Sequence, residues 1–289
     1  MKLMTLNAHA WHEENQLEKI AQLAAFIGER DFDVVAMQEI NQPIDGAPAP
    51  EAALERYFEA EQGLTIREGH YMLALLEQLD TPYYWTWIPT HATFKIYDEG
   101  LAVLSKRPIT EAFCDYVSAL REYENHKTRR ILAVKTSAGA QTSGGSGERI
   151  EDSEGRPFWL VDGHYGWWHD EVEPFRGQWD RTEELLAPLR KSGEPLFLLG
   201  DLNNVAQIRG EGYDYILEHG WCDLYTAAAE KDEGSTVLKA IAGWSDNERP
   251  LRIDYILSSD PVAAKKSEVI LDGKNGAVVS DHFGVAAEI

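Results

Sequence analysis

The chain has 289 residues, 44% of them hydrophobic, enough to bury a large core. Its 27 basic and 49 acidic residues give a formal charge of -22, which argues against holding nucleic acid by general phosphate neutralisation and against an anionic membrane surface. No run approaches a membrane-spanning helix, the N-terminal apolar run is too short for a signal peptide, and Cys114 and Cys222 read as buried free thiols, so cytoplasm is the expected compartment.

Residues 2–7 read as a strand ending on Asn7, followed by the polar and aromatic loop Ala8-His9-Ala10-Trp11-His12. Over 13–30, Leu17, Ile20, Ala21, Ala24 and Ile27 recur at helical spacing, with Glu13 and Glu14 in the first turn. Residues 33–39 form a second apolar strand that ends on Glu39. A loop over 43–50 precedes a short helix over 51–61 and a better one over 71–79, stopped by Asp80-Thr81-Pro82. Strands are expected over 83–89, 100–105 and 128–136, the last with Arg130, Leu132 and Val134 alternating. The Gly- and Ser-rich stretch near 137–156 reads as a flexible surface loop inside one domain covering 1–289. A strand over 158–164 ends on His164, and a helix is expected over 175–190. The apolar run 195–199 leads straight into Gly200-Asp201-Leu202-Asn203. A helix over 207–219, a strand over 252–257 and a last strand opening at Ser280 complete an α/β or α+β pattern without internal repeats.

The polar residues recur in one structural position. Asn7, Glu39, His164, Asp201 and Asn203 stand at the far ends of apolar strands; Asp254 lies inside one, and Asp281 and His282 begin one. Taken singly, each has an ordinary explanation. Glu39 is a solvated carboxylate, His164 a core histidine, Asp201 a turn cap, and Asp254 a partner for Arg252 on the same strand face. Those explanations do not account for so many coincident placements. Asp201 and Asn203, two apart in extended chain, project the same way. A carboxylate beside a carboxamide suits a hard metal ion and a phosphoryl oxygen.

In their order along the chain, Leu6-Asn7, Gln38-Glu39, residues 100–106, Gly200-Asp201-Leu202-Asn203, Arg252-Ile253-Asp254-Tyr255 and Ser280-Asp281-His282 resemble the motifs of the endonuclease/exonuclease/phosphatase superfamily. The resemblance implies a four-layer α/β sandwich, two mixed β-sheets flanked by helices, and a Mg²⁺-dependent phosphoesterase, with Mn²⁺ as the alternative cation. It implies that Glu39 is the principal metal ligand, with Asn7 close by and Asp281 near the metal. Asp201 then orients or deprotonates the attacking water, and Asn203 binds a phosphoryl oxygen. His282 faces the phosphate with Asp254 holding its ring, and His164 is a second phosphate-binding histidine. One departure stands out: where nucleases of the group often carry a tyrosine, Asp98 is found and Tyr97 lies one residue earlier. The residue types suit the chemistry independently, because phosphoryl transfer needs charge neutralised on oxygen and water held in line. No Cys or Ser nucleophile motif is present, so direct attack by water is expected.

The most individual segment is 163–180, which follows the His164 strand and carries Trp167, Trp168 and Arg176. Tryptophan faces stack on sugars and bases, and an arginine can hold phosphate; equally, both indoles could fill core beneath a loop. With residues 7–15, including His9, this segment resembles a bacterial subgroup that includes the maltose 6'-phosphate phosphatases. That resemblance implies a small phosphorylated substrate, a sugar phosphate, bound by Trp167, Trp168, Arg176 and His9. The competing expectations are a nuclease or other phosphodiesterase of the same fold, which the acidity disfavours, and a non-catalytic binding module, which the intact polar set disfavours.

Overall fold

Side-chain alternation on two neighbouring strands sets the layers. In β1 (Lys2–Asn7), Met4 and Leu6 face one way and Leu3 the other; in β2 (Val34–Pro43), Val35 and Met37 oppose Val34 and Ala36. Both faces are apolar, so both must be covered. In the computed structural model, which describes residues 1–138, 155–240, 244 and 247–289, one face meets helices and the other a second sheet. The expected loop near 137–156 lies for the most part outside the described residues.

The first sheet has the order β10 (Glu230–Lys231), β12 (Lys266–Ile270), β13 (Gly284–Glu288), β1, β2, β4 (Tyr97–Ser105), β3 (Tyr84–Thr93). The second has the order β5 (Glu111–Tyr116), β6 (Arg130–Ser137), β7 (Pro157–His164), β8 (Leu196–Asp201), β11 (Asp254–Ser258), β9 (Cys222–Asp223). Each sheet is mixed, with a parallel pair at its centre, β1–β2 in one and β7–β8 in the other. Between the sheets Leu3, Val34 and Val103 pack with Leu132, Leu160 and Leu199. Outside the first sheet lie α1 (Gln16–Arg30) and α2 (Tyr71–Gln78), which bury Leu23, Ile27, Met72 and Leu75 against Met4 and Met37. Outside the second lie α3 (Phe175–Ser192) and α4 (Gly212–Glu218), which bury Trp179, Leu186 and Ile216 against Val161 and Leu198. Each such side chain contributes about 1.5–3 kcal/mol by leaving water. A one-turn helix, α5 (Leu224–Ala227), follows β9. The result is the four-layer sandwich expected of the chain.

Local differences from expectation have physical causes. The first helix starts at Gln16, because Asn15 takes a left-handed conformation, and Leu17 is solvent-exposed. Residues 51–61 give only a 3₁₀ turn, Glu51–Leu54. The strands β5 and β12, at or near the sheet edges, carry polar residues that hid them from the apolar pattern. The 280–283 stretch is a loop, and the last strand begins at Gly284. The two free thiols are half-buried, not buried.

Two β-bulges shape one end of the first sheet. Met37 pairs with Ala102 and Ile40 with Gly100, so β2 carries one extra residue there. Pro89 pairs with Gly100 and His91 with Glu99, so β3 carries another. Gly100 sits between the bulges, where a Cβ would run into the Ile88 carbonyl and the Trp87 indole. The first bulge puts Glu39 at φ 54°, a conformation that non-glycine residues rarely adopt.

His70 caps α2, its Nδ1 accepting from the Met72 amide at 3.1 Å, wedged edge-on against Trp85 and Trp87. Burial pushes this ring down to about 3. Because the folded value is depressed, the stability it supports is complete above its unfolded value, near 6.5, and is lost as pH falls from there towards 3. By pH 5.5 the loss is about 1.4 kcal/mol. Urea unfolding at pH 7.5 and 5.5 should therefore show a steeper acid loss in the natural protein than in His70→Asn, which keeps a capping group; equal slopes would mean that His70 is not held neutral.

Candidate active site

Strand ends from both sheets deliver polar residues to one cavity of about 490 Å³. From the first sheet come Glu39, at the β2 bulge, and the loop before β13 with Asp281 and His282. From the second come His164, ending β7, and Asp201, ending β8, with Asn203 just beyond. His164 pairs with Asp201, and Gly163 with Gly200, in the parallel register. Gly200 has φ 145°, and a Cβ there would collide with the Gly163 carbonyl, so the glycine before Asp201 is required by the close approach of β7.

Two expected residues stand behind the cavity and hold its lining. Asn7 is fully buried, and its amide Nδ2 donates to Glu39 Oε1 at 2.9 Å and to Asp201 Oδ2 at 3.2 Å. Asp254 begins β11 opposite Asp201 and reaches the His282 ring at 3.1 Å through Nδ1. The other ring nitrogen of His282 lies 3.7 Å from Asp201 Oδ2. The alternative pairing of Asp254 with Arg252 does not occur: Arg252 bonds Asp223 at 2.7 Å and is enclosed by Tyr213, Tyr225 and Tyr255.

Electrostatics separate these groups. Burial works against a charged His282, but Asp254 and Asp201 outweigh it and push the ring up to about 10. Burial, opposed by His282 and aided by Asp254, pushes Asp201 up to about 7. Burial, with repulsion from Glu99 and Asp281, pushes Glu39 up to about 7. His164 is held well below its ordinary value by burial and by the positive charges of Arg129 and His282, so it is neutral. Its Nε2 lies 3.5 Å from Asp201 Oδ2 and 3.3 Å from Asn203 Nδ2. Asn203, at φ 49°, donates from its backbone N–H to Asp201 Oδ1 and from its amide to the Tyr165 carbonyl, and accepts from the Trp244 indole.

Two clusters place metal-ligating atoms within 4.8 Å of one another: His9, Glu13 and Asp281, and Asp201, Asp254 and His282. The second cannot take a cation on His282 while that ring is protonated. In the first, Glu13 is also engaged by Lys19 at 2.5 Å. Glu39, Glu99 and Asp281 face the same cavity, where burial and, after it, repulsion from Glu99 and Asp281 raise Glu39. An all-oxygen set with mutual repulsion fits a hard divalent cation.

The substrate-side expectations divide. His9 and Trp167 line the cavity. Trp168 and Arg176 do not: Trp168 packs against Phe175 and Tyr215, and the Arg176 guanidinium stacks on Trp168 and Tyr215, with its carbon 4.2 Å from the Tyr215 centroid. This aromatic stack covers α3 and α4, so the core-filling account holds for Trp168. Asp98 is also structural, accepting from Tyr123 and Gln42. Several lining residues had no distinctive sequence context: His12, His91, Glu99, Arg129 and Phe94. Glu99 lies 3.2 Å from His91; burial pushes Glu99 up, but His91 and Arg129 outweigh it and hold it low. Phe94 stands at the rim, 74% exposed, on a turn where it and Lys95 both have positive φ. Ile96 N–H donates to the Thr93 carbonyl across that turn, the geometry of a type I′ hairpin without its usual glycine.

Comparison with known proteins agrees with this layout. The family model described as the endonuclease/exonuclease/phosphatase family matches residues 10–282. A solved family protein from Leptotrichia buccalis is 32% identical, with a TM-score of 0.81, and the match covers 100% of this chain and 99% of that one. A mannosyl-6-phosphatase from Bacteroides thetaiotaomicron shares the fold at 15% identity and a TM-score of 0.67, covering 100% and 98% of the two chains. So does the Danio rerio (D. rerio) protein TDP2, solved with a single-strand DNA product, at 14% identity and 0.59, covering 99% and 97%. No curated protein matches the chain. The chain belongs to the endonuclease/exonuclease/phosphatase family, whose members hydrolyse phosphoester bonds.

Proposed function

We propose that the protein is a phosphatase that uses a divalent cation, Mg²⁺ in the first instance, to release phosphate from a phosphorylated sugar by direct attack of water. The observation that carries the phosphatase reading is the cavity itself. It is about 490 Å³, the size of a site for one small molecule, in a chain of charge -22. A duplex or long single strand asks for a basic track along its backbone.

Glu39 and Asp281, with Glu99 beside them, are the residues to hold the cation, and Asn7 fixes the Glu39 carboxylate. The cation, when bound, supplies charge neutralisation for the phosphoryl group. The chain's own residues do the rest. Asp201, held by Asn7 and by the Asn203 amide, orients the attacking water and accepts its proton. His282, kept protonated by Asp254, donates to a phosphoryl oxygen. His164 is neutral and serves as a hydrogen-bond donor beside Asp201. The leaving alcohol lies towards the rim, where Phe94, His12 and the Trp167 indole offer aromatic surface for a sugar ring. Trp168 and Arg176 have no part in this binding.

A phosphate-release screen over sugar phosphates, nucleotides, phosphodiesters and plasmid DNA tests the reading directly. Sugar phosphates should be turned over with Mg²⁺, with activity lost in EDTA and restored by Mg²⁺; cleavage of DNA with no release from sugar phosphates would refute it. Asp201→Asn should lower kcat by about 10³-fold while leaving the melting temperature nearly unchanged. An active variant would remove Asp201 from its role. Phe94→Ala should lower kcat/KM for a sugar phosphate by about 10-fold but not for ethyl phosphate, which is too small to reach the rim. Trp168→Ala should not discriminate between the two substrates, and a selective loss there would restore it to the binding surface.

A further inference from the structure

Arg129 and Arg130 are adjacent in sequence and differ in one respect. Arg130 is engaged through both terminal nitrogens of its guanidinium, which form two bonds to the Glu61 carboxylate, one to the Pro89 carbonyl and one to Cys114. Arg129 is 5% exposed, lines the catalytic cavity, and its guanidinium makes no hydrogen bond or ion pair among the described residues. Its main chain is pinned, with the N–H donating to Ser118 Oγ at 2.8 Å and the carbonyl accepting from Val117 at 3.0 Å. The side chain is thus delivered from a fixed point just before β6. A buried, unpaired guanidinium is costly, and its planar fork of donors matches a tetrahedral oxyanion. The carboxylates it senses, Glu99, Asp201 and Glu39, are those that surround the reacting centre.

We propose that Arg129 is the ligand for the charged non-bridging oxygens of the substrate phosphoryl group, and that it sets a preference for phosphomonoesters over phosphodiesters. This rests on the phosphoesterase reading and goes beyond it by naming the selecting residue. A monoester dianion carries two negative charges on three terminal oxygens, and a diester carries one on two. His282 supplies one cationic donor from the side of β13, and Arg129 supplies a second from the side of β6. A second fork is useful only for the extra charge and the extra oxygen. Bonds from a guanidinium to a phosphoryl oxygen are among the stronger hydrogen bonds a protein makes, and bidentate ones add geometric selection.

The test uses the Mg²⁺-loaded protein and the variants Arg129→Met and Arg129→Lys. Inorganic phosphate should raise the melting temperature of the natural protein, raise that of Arg129→Lys less, and leave Arg129→Met unmoved. Without phosphate, Arg129→Met should melt no lower than the natural protein, since it loses a buried charge without a partner. The ratio of kcat/KM for p-nitrophenyl phosphate over bis(p-nitrophenyl) phosphate should fall by about 30-fold or more in Arg129→Met and by less in Arg129→Lys. A ratio that stays within about threefold of the natural protein's, or phosphate stabilisation that is absent or equal in all three proteins, would overturn the proposal. Should Arg129→Met not fold, the Arg129→Lys comparison decides alone. If the natural protein hydrolysed no monoester, the phosphatase reading would fail, while the melting series would still show whether Arg129 holds phosphate.

Discussion

One side-chain amide joins the two halves of the candidate site. Asn7 Nδ2 has two hydrogens, and it gives one to Glu39 and the other to Asp201. Glu39 belongs to the first sheet and Asp201 to the second, so the relative position of the two sheets is read out at this nitrogen. Around it the fold repeats a polar link between layers: the Gln38 amide donates to Asp162 of the second sheet at 2.6 Å, as well as to Thr5 of its own sheet at 3.1 Å, in the middle of the apolar inter-sheet core. Buried polar groups are tolerated only when partnered, so these links favour one registration of the sheets over a slid one. Apolar packing alone would hold the layers together without fixing them to within a bond length.

The cost of this arrangement is electrostatic. Burial raises Glu39 and Asp201 well above ordinary carboxylates, with repulsion from Glu99 and Asp281 adding to the first and from Asp254 to the second. The fold offsets part of the cost with His282, whose ring is charged because Asp254 and Asp201 face it from two sides. His164, a few ångströms away, is neutral because burial and then the positive charges of Arg129 and His282 act on it, where His282 faces negative charge that outweighs its burial. Two histidines in one cavity therefore hold opposite protonation states, set by neighbours and not by residue type. A cation among the carboxylates would lower Glu39, and an anion at Arg129 would remove the cost of a buried guanidinium. Both vacant-charge costs are relieved by ligands of the sign that phosphoester hydrolysis requires.

The positions of the candidate site were legible in the sequence because a strand that ends is conspicuous: an apolar run followed at once by Asn7, Glu39, His164 or Asp201. The four-layer architecture was legible through the family motifs, which stand in order over nearly the whole chain. The rim was not. Glu99 lies inside an ordinary strand and is aimed inward by two bulges around Gly100, which no periodicity reveals. Arg129 is one of two neighbouring arginines, and only tertiary structure tells which has a partner. Phe94 sits in a turn with a backbone conformation that glycine or asparagine would normally take, so local rules point away from it. Trp168 shows the opposite case: an aromatic just after the His164 strand reads as a binding surface, yet its ring packs against Phe175 of α3 and Tyr215 of α4.

The same contrast separates the floor of the candidate site from its rim. Asn7 and Asp201 stand at strand ends of the two sheets and Glu39 at the β2 bulge, Asn7 bonds both carboxylates, and the His282 ring is held by Asp254, so the floor of the candidate site is fixed by the fold. Phe94 is tied to little: it stands 74% exposed on a hairpin turn, and its ring touches the edge of His12. A residue in that position can change without cost to the core, whereas the conformational strain of a positive φ at phenylalanine is a cost with no packing return. Strain that packing does not explain fits the proposal that the exposed ring meets the part of a substrate beyond the phosphate. On the proposed reading, substrate identity resides in the loosely held rim, and reaction type in the tightly held floor.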